Sequence, residues 1–367
     1  MTKEVSFLDM KAMIATHRED LLAAAGGVLD SGWLILGHET QTFEQEYADY
    51  CGTNHCVGVA NGLDALSLAL RALDIGAGDE VIVPANTYIA TWLAVSHVGA
   101  TPVPVEPVEA TYNINPALIE AAITPRTRAI LPVHLYGQPA DLGAIAAIAT
   151  RHGLAVLEDG AQAHGARYRD VRIGAGDALV AWSFYPGKNL GAIGDGGSVT
   201  TGNPALADRL AMLRNYGSRV KYHNEVIGYN SRLDELQAAM LRVKLRALDA
   251  ENARRKEIAA RYLDGLRGAD IILPTVPDWA DPVWHLFVIR HANRDGLAER
   301  LKRDGVATMI HYPVPPHLQP AYREAGILEG SLPLSERIHR EVLSLPMGPT
   351  LSDDEVERVI AAVRHSA

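Results

Sequence analysis

Apolar and polar positions follow two alternating patterns along the chain. Short apolar runs bounded by Gly, Pro, Asn or Asp predict buried strands. Ala- and Leu-rich stretches between them have apolar residues three and four apart, which predicts amphipathic helices. The predicted strands are residues 55–60, 80–84, 101–105, 129–133, 154–159, 178–182 and 197–201. The predicted helices are residues 9–30, 40–50, 61–72, 89–98, 139–152 and 204–215.

Strands that alternate with helices predict an α/β fold with a mostly parallel central sheet between helices. A long helix is predicted over residues 233–263, and we place a domain boundary inside it near residue 245. Residues 1–245 are therefore predicted to form a large domain and residues 246–367 a smaller C-terminal α/β domain. The smaller domain contains predicted strands 284–289 and 308–313 and predicted helices 294–304 and 351–365.

Composition narrows the function classes. The 367 residues carry a net charge of -10, which argues against a nucleic-acid partner because phosphate binding favours a basic surface. No apolar run approaches the length of a membrane span, and the first residues lack the pattern of a signal peptide. The chain has two cysteines, Cys51 and Cys56, too few for a disulfide framework or a structural zinc site. We expect a cytoplasmic protein without a metal.

A lysine stands on a turn at the end of one predicted strand. The apolar run 178–182 stops at Ser183, and Lys188 follows on a segment of small residues that ends at Gly191. An exposed loop lysine is ordinarily solvated charge. A lysine held on an ordered turn in an α/β protein is also a candidate Schiff-base nucleophile, because desolvation lowers its pKa.

Another predicted strand, residues 154–159, ends in Glu158 and Asp159. An acid at the carboxyl end of a buried strand lies where open α/β sheets hold their ligands. The alternative is an aspartate that caps a helix or forms a turn. Glu158 is the weaker candidate, because successive side chains of a strand point to opposite faces.

Two further strand ends carry candidate ligand contacts. Asn61-Gly62-Leu63 opens a helix after the strand 55–60, and free backbone N–H groups at a helix start can bind an anion. The turn matches neither a dinucleotide fingerprint nor a P-loop. Tyr88 follows the strand 80–84, where it either faces a ligand or packs on the core.

These elements together match the needs of pyridoxal phosphate (PLP). Its phosphate needs N–H and hydroxyl groups, and its ring accepts an aromatic neighbour. Its pyridine nitrogen needs a carboxylate and its aldehyde needs a lysine. Each element alone is common, whereas the set at four strand ends of one sheet indicates a PLP site.

The chain also resembles a known family, the DegT/StrS-type nucleotide-sugar aminotransferases of the aspartate aminotransferase (fold type I) superfamily. The resemblance extends from Ser31-Gly32-Trp33 to Leu345-Pro346-Met347 and is most specific in three segments. These segments are Glu158 to Gly165, Ser183 to Gly191, and Gly228-Tyr229-Asn230-Ser231-Arg232-Leu233-Asp234-Glu235-Leu236-Gln237-Ala238-Ala239.

The resemblance implies a role for each matched position. Lys188 would bond the cofactor aldehyde and move protons, Asp159 would pair with the pyridine nitrogen, and Gln162 would hydrogen-bond the ring hydroxyl. Tyr88 would stack on the ring. The phosphate would be held by Gly62, Leu63, Ser183 and, from the partner subunit of a homodimer with shared sites, Asn230. The sugar pocket would be lined by Tyr185, His311 and Tyr312.

The sequence departs from the family pattern at three positions. Leu63 stands where relatives often have Ser or Thr, so it offers the phosphate only its backbone N–H. Leu34 replaces a common Tyr or Phe, which leaves its substrate contacts open. Gly160 replaces a common Ala, with little expected effect. A lysine at position 188 disfavours the deoxygenating branch, which has His there.

The segment Phe184 to Ala192, followed by Gly194-Asp195-Gly196-Gly197, is similar to the branch that acts on dTDP-linked 3-keto sugars. The resemblance therefore implies ping-pong transfer of an amino group from L-glutamate to C3 of a dTDP-3-keto-6-deoxyhexose. Three alternatives remain open: a 4-keto nucleotide-sugar aminotransferase, a PLP-dependent sugar dehydratase or lyase on the same fold, and a non-catalytic sensor.

Overall fold

A seven-stranded sheet forms the centre of the computed structural model, which describes residues 4–367. Its strands in chain order are β1 (His55–Val59), β2 (Glu80–Pro84), β3 (Thr101–Val105), β4 (Thr127–Ile130), β5 (Ala155–Asp159), β6 (Leu179–Ser183) and β7 (Gly197–Thr201). Their spatial order is β1-β7-β6-β5-β4-β2-β3. β7 is antiparallel to both of its neighbours, and all other pairings are parallel. The predicted mostly parallel sheet is confirmed.

Helices cover both faces of the sheet. Those before and within the sheet segment are α1 (Met10–Thr16), α2 (Arg18–Ser31), α3 (His38–Cys51), α4 (Gly62–Ala72), α5 (Ile89–His97), α6 (Pro116–Ile119), α7 (Leu142–His152) and α8 (Pro204–Leu213). In β2, Val81 and Val83 share a core with α4 and α5, whereas Ile82 between them packs in the core of α7. The strand is therefore buried on both faces, as its unbroken apolar sequence requires.

The remaining elements follow the sheet in the chain. They are α9 (Glu235–Leu245), α10 (Leu248–Gly265), β8 (Phe287–Arg290), α11 (Arg294–Arg303), α12 (Pro333–Glu341), β9 (Val342–Leu345) and α13 (Asp353–Ser366). Short strand pairs join residues 167–168 to 171–172 and to 280–281, and residues 218–220 to 223–224. Single 3-10 turns cover residues 120–122, 135–137, 316–318 and 320–325. A separate apolar core gathers Val5 with residues between Ile258 and Val363.

Four predicted elements differ from the structure by more than the position of their ends. The helix predicted over residues 9–30 is two helices, α1 and α2, and the helix predicted over residues 233–263 is two helices, α9 and α10. The strand predicted at 284–289 begins only at Phe287, because Trp284 has a positive φ of 48° that interrupts extended backbone. The prediction of a strand at 308–313 was wrong: this segment makes one bridge, from Met309 to Ser344. The domain boundary near residue 245 stays a prediction.

The described residues contain no helix long and apolar enough to cross a membrane. Across the same residues 4–367, no group of three or more His, Cys, Asp or Glu side chains could hold a metal ion.

Glu235 joins α9 to the start of α3. Its carboxylate is buried and accepts hydrogen bonds from the backbone N–H groups of Gly37 (2.7 Å), Glu39 (2.9 Å) and Thr40 (2.9 Å). Burial raises the pKa of Glu235, but the hydrogen bonds from Thr40, Glu39 and Gly37 outweigh it and leave the pKa below its usual range. The carboxylate thus satisfies N–H groups that a helix start leaves without partners.

We expect Glu235→Gln to lower the free energy of unfolding by about 2 kcal/mol at pH 7, because an amide NH₂ would face donor N–H groups. The folded pKa is depressed, so the carboxylate's contribution is present above the unfolded pKa and is lost as pH falls through the folded pKa. Urea unfolding at pH 7 and at acidic pH measures both effects. Glu299→Gln, at an exposed position on α11, is the control; an equal loss in the two variants would contradict the expectation.

Candidate active site

The turn that carries Lys188 is fixed by its backbone. The Lys188 N–H donates to the Tyr185 carbonyl (2.8 Å), and the Ala192 N–H donates to the Phe184 carbonyl (2.8 Å). Gly191 is required because a Cβ there would lie 2.3 Å from the Pro186 carbonyl oxygen. Burial lowers the pKa of the Lys188 amine to about 8, although the charge of Asp159 opposes this shift. The lysine therefore has a substantial neutral fraction near physiological pH.

Asp159 ends β5 and is buried. Its Oδ1 accepts from the Ala161 N–H (3.1 Å), and its Oδ2 accepts from the Thr91 hydroxyl (3.0 Å). Burial raises the pKa of the Asp159 carboxyl, while the hydrogen bonds from Ala161 and Thr91 and the charge of Lys188 act against that rise. Both oxygens are thus held in place, and the carboxylate and Lys188 influence each other electrostatically.

Gln162 connects two tyrosines, Tyr136 and Tyr312. Its Oε1 accepts from the Tyr136 N–H (2.6 Å), and its Nε2 donates to the Tyr312 hydroxyl (3.1 Å). The Tyr312 ring lies against the Tyr88 ring, with centroids 4.9 Å apart and planes 34° apart. Tyr88 is half exposed, at 51%. The structure therefore brings Tyr88, Gln162 and Tyr312 into one contact group.

His311 belongs to the same group. Its carbonyl accepts from the Tyr136 hydroxyl (2.5 Å), and its Nδ1 lies 2.8 Å from the Ser344 hydroxyl. Burial, with a smaller effect from Lys188, lowers the pKa of His311 to about 4, so the ring is neutral at physiological pH. Tyr185 is exposed, at 60% of its surface, and is not among these contacts.

The start of α4 lies against the end of β6. A Cβ on Gly62 would sit 2.5 Å from the Ser183 Cβ, so only glycine allows this approach. The Asn61 side chain accepts from the Asp64 N–H (2.9 Å). The N–H groups of Gly62 and Leu63, first in the helix, have no acceptor one turn earlier and remain suited to an anion.

Asn230 lines a cavity that Asp159, Gln162 and Lys188 do not line. That cavity has a volume of about 380 Å³ and opens at the surface, where Asn230 is exposed. Its other lining residues are Ile35, Ala60, Asp195, Arg232, Asp234 and Gln237. Within one subunit, Asn230 is therefore not gathered with Gln162 and Tyr312.

Sequence reasoning missed two residues that hold this site together. Thr91 is a buried polar residue among the apolar residues that begin α5, three positions after Tyr88, and that contrast was a usable signal. Tyr136 has a positive φ of 61° and donates through both its N–H and its hydroxyl. No sequence pattern marked Tyr136, because its partners Gln162 and His311 are distant in the chain.

The donor set fits PLP. A buried carboxylate, an amine with a lowered pKa and a helix start with free N–H groups stand at the carboxyl edge of the sheet. These are the groups that the ring nitrogen, aldehyde and phosphate of PLP require. The fold and the site define a PLP-dependent transferase of fold type I.

Comparison with known proteins identifies the family. Residues 15–364 match the DegT/DnrJ/EryC1/StrS aminotransferase family, and the chain belongs to it. It is 60% identical to a dTDP-3-amino-3,4,6-trideoxy-α-D-glucose transaminase of Streptomyces venezuelae, across 100% of this chain and 97% of the relative. It is 55% identical to a dTDP-3-amino-3,6-dideoxy-α-D-galactopyranose transaminase of Aneurinibacillus thermoaerophilus, across 98% of each chain.

A solved structure agrees with this assignment. The S. venezuelae DesV crystal structure in complex with a ketimine intermediate superposes with a TM-score of 0.98. It is 59% identical in sequence, and the match covers 99% of this chain and 98% of DesV. The predicted fold, the predicted cofactor and the predicted aminotransferase class are confirmed.

The lowered pKa of Lys188 has a consequence for the cofactor-free protein. Between about pH 8 and pH 10 the unfolded chain binds a proton at this lysine that the folded chain does not, so its contribution to stability rises with pH. We expect Lys188→Met to raise the midpoint of thermal unfolding by about 2 °C at pH 7, with the gain disappearing near pH 10. Calorimetry across this range measures it.

Lys11→Met, at an exposed position of α1, is the matched control and should show no such trend. A Lys188→Met gain that is constant with pH would contradict a lowered lysine pKa.

Proposed function

We propose that this enzyme transfers the amino group of L-glutamate to C3 of a dTDP-3-keto-6-deoxyhexose. The single observation that carries the proposal is the end-to-end similarity to two transaminases whose named products both have an amino group at C3 of a dTDP-linked sugar. The first of these products is deoxygenated at C4 and the second is a galactose derivative that keeps its C4 hydroxyl, so neither the substituent nor the configuration at C4 is part of the proposal.

Each cofactor contact has a residue suited to it. Asp159 would hold the pyridine nitrogen, with its own position set by Thr91 and Ala161. Gln162 has one Nε2 hydrogen left after its bond to Tyr312 and would direct it to the ring hydroxyl. When bound, PLP supplies an electron sink that stabilises negative charge on the carbon next to the amino group.

Lys188 would then act as the base. With its pKa of about 8, the Lys188 Nζ would be able to take a proton from the donor's α-carbon and hold it for return. Tyr312 keeps its phenol proton because burial raises its pKa, so it remains a hydrogen-bond donor. Tyr185, His311 and Tyr312 would contact the sugar, with His311 as a neutral group.

We expect Lys188→Ala to retain pyridoxamine phosphate and to lose turnover, because the proton-moving amine is gone. For the unmodified enzyme, we expect kcat/KM with dTDP-linked 3-keto sugars to exceed that with 4-keto sugars by at least about tenfold. The assay supplies glutamate and a panel of 3-keto and 4-keto nucleotide sugars and measures 2-oxoglutarate and the amino sugar.

The outcomes separate the alternatives. Full activity of Lys188→Ala would exclude the proposed base. A preference for 4-keto sugars would move the proposal to C4. Sugar conversion without 2-oxoglutarate would indicate a lyase or dehydratase.

We also propose that the enzyme is a homodimer whose active sites use residues of both subunits. Large apolar side chains are exposed around the cavity that Ile35 and Asn230 line. Trp33 (62%) and Ile35 (39%) adjoin the start of α9. Tyr216 (49%) and Tyr229 (40%), joined by a backbone hydrogen bond, lie next to Asn230 in the structure and in the chain. A cluster of exposed apolar residues supports an interface. Asn230, one residue after Tyr229, would reach the phosphate of the partner's site.

Subunit mixing tests this sharing directly. Lys188→Ala dimers should be inactive, and Asn230→Ala dimers should be weakly active. A mixed dimer has one complete site, because the Lys188→Ala subunit donates its intact Asn230 to the subunit that retains Lys188. Random reassociation of equal amounts should therefore restore about a quarter of the wild-type activity.

The control mixes Lys188→Ala with Asp159→Ala. Both changes lie in the same subunit's site, so no mixed dimer has a complete site and activity should stay low. Equal activity in the two mixtures, or a fully active monomer, would contradict a shared site.

The proposed location is the cytoplasm. Cys51 and Cys56 are free and buried, which fits a reducing compartment.

A further inference from the structure

His164, which has no role in the proposed mechanism, lies behind the proposed phosphate end of the site. His164 is fully buried, and its ring packs between Trp182 (centroids 5.1 Å apart) and Phe184 (5.6 Å). Tyr47 of α3 stands edge-on to the same two rings, at 5.6 Å and 5.4 Å. Trp182 and Phe184 flank Ser183 in the chain, so this aromatic box lies next to the backbone of the residue that ends β6.

Both ring nitrogens of His164 have partners. His164 Nε2 lies 2.9 Å from the Ser183 carbonyl oxygen, and Nδ1 lies 2.7 Å from the Tyr47 hydroxyl. A carbonyl can only accept, so Nε2 carries the hydrogen and Nδ1 accepts from Tyr47. The tautomer is therefore fixed by the geometry.

The protonation states agree with this arrangement. Burial lowers the pKa of His164 to about 3, so the ring is neutral at physiological pH. Burial also raises the pKa of Tyr47, so its hydroxyl keeps the hydrogen that it donates. The Asn252 side chain anchors the backbone of His164 by donating to its carbonyl (2.8 Å).

The hydrogen bond determines how Ser183 faces α4. It holds the Ser183 carbonyl toward the aromatic box, and the N–H of the same peptide, which belongs to Phe184, donates to the Gly196 carbonyl (2.8 Å). With its carbonyl turned into the core, Ser183 presents its Cβ and hydroxyl to Gly62 at the start of the helix. Without the His164 donor, the buried Ser183 carbonyl would have no hydrogen-bond partner. Rotation of the peptide toward another donor would then become more favourable.

We propose that Tyr47 and His164 are positioning residues for phosphate binding, acting in series from α3 through the Ser183 carbonyl to set the Ser183 hydroxyl beside the N-terminus of α4. This inference rests on the proposed function, in which Ser183 and the start of α4 hold the PLP phosphate.

The alternative is that His164 is only a satisfied core residue. In that case the loss of His164 would lower the stability of the protein and would weaken the binding of PLP and pyridoxal equally. The proposed role differs because it acts through the phosphate: pyridoxal, which has the ring and aldehyde but no phosphate, should bind independently of His164. The preference for PLP over pyridoxal therefore reports on this role and not on folding.

A matched pair of substitutions separates the two ring nitrogens. In His164→Gln the amide NH₂ can occupy the place of Nε2 and keep the bond to Ser183, whereas in His164→Asn it reaches only the place of Nδ1. The full-length variants are titrated with PLP and with pyridoxal, followed by visible absorbance, and thermal midpoints are recorded alongside. Ser183→Ala and the His164→Asn/Ser183→Ala double variant complete a mutant cycle.

We expect His164→Asn to weaken PLP binding about tenfold with pyridoxal binding unchanged, and His164→Gln to stay close to the wild-type preference. Tyr47→Phe should shift the preference in the same direction by a smaller factor. In the cycle, His164→Asn should have no further effect once Ser183 is Ala.

Equal weakening of PLP and pyridoxal in His164→Asn, equal behaviour of the Gln and Asn variants, or additive effects in the cycle would overturn the inference. If the wild-type protein itself shows no preference for PLP over pyridoxal, the phosphate site of the proposed function fails instead. If His164→Asn does not fold, Tyr47→Phe decides: a PLP-specific loss supports the positioning role and an unchanged preference rejects it.

Discussion

A carboxylate and an amine at one poorly solvated edge of the central sheet are the constraint on which the site depends. Burial raises the pKa of Asp159 and lowers that of Lys188, and the opposite charge of each partner resists the shift of the other. Either group alone would be driven toward its neutral form. Together they leave a carboxylate that can meet a ring nitrogen and an amine that can exchange a proton near neutral pH.

The polar groups around these two charges form hydrogen bonds to Asp159 and to one another. Thr91 fixes one oxygen of Asp159, and Tyr136 and Tyr312 take up the two ends of Gln162. These residues come from α5, from the turn after β4 and from the second half of the chain. A buried polar group without a hydrogen-bond partner destabilises the folded protein. A substitution of one of these residues therefore leaves its hydrogen-bond partner unpaired and affects the rest of the network.

The proposed phosphate end of the site is built by close backbone approach. Gly62 leaves no room for a side chain beside Ser183, and His164 holds the Ser183 carbonyl away from the helix start. Leu63 has no hydroxyl and would offer the phosphate only its backbone N–H, which places more weight on Ser183 and on the proposed contribution of Asn230 from the partner subunit. The orientation of the Ser183–Phe184 peptide is therefore expected to influence phosphate binding more in this site than in a site with an additional hydroxyl.

Much of the fold could be predicted from sequence because its signals are local. The apolar runs at 80–84 and 178–182 predicted buried strands, and Asp159 and Lys188 stood at strand ends, where parallel sheets collect their ligands. The break between α9 and α10 and the positive φ of Trp284 left no comparable mark. The segment 308–313 looked like a strand, but it has only one bridging partner.

The amino-acid sequence by itself therefore determined the α/β class and the cofactor, and it predicted which residues would meet that cofactor at strand ends. Only the tertiary structure decided that Tyr88 lies on Tyr312, that Gln162 is held by Tyr136, and that His164 bonds to the carbonyl of Ser183. The physical reason is range. Periodicity and turn chemistry are encoded by neighbours in the chain, whereas these contacts join residues that are brought together only when the sheet and the C-terminal segments pack.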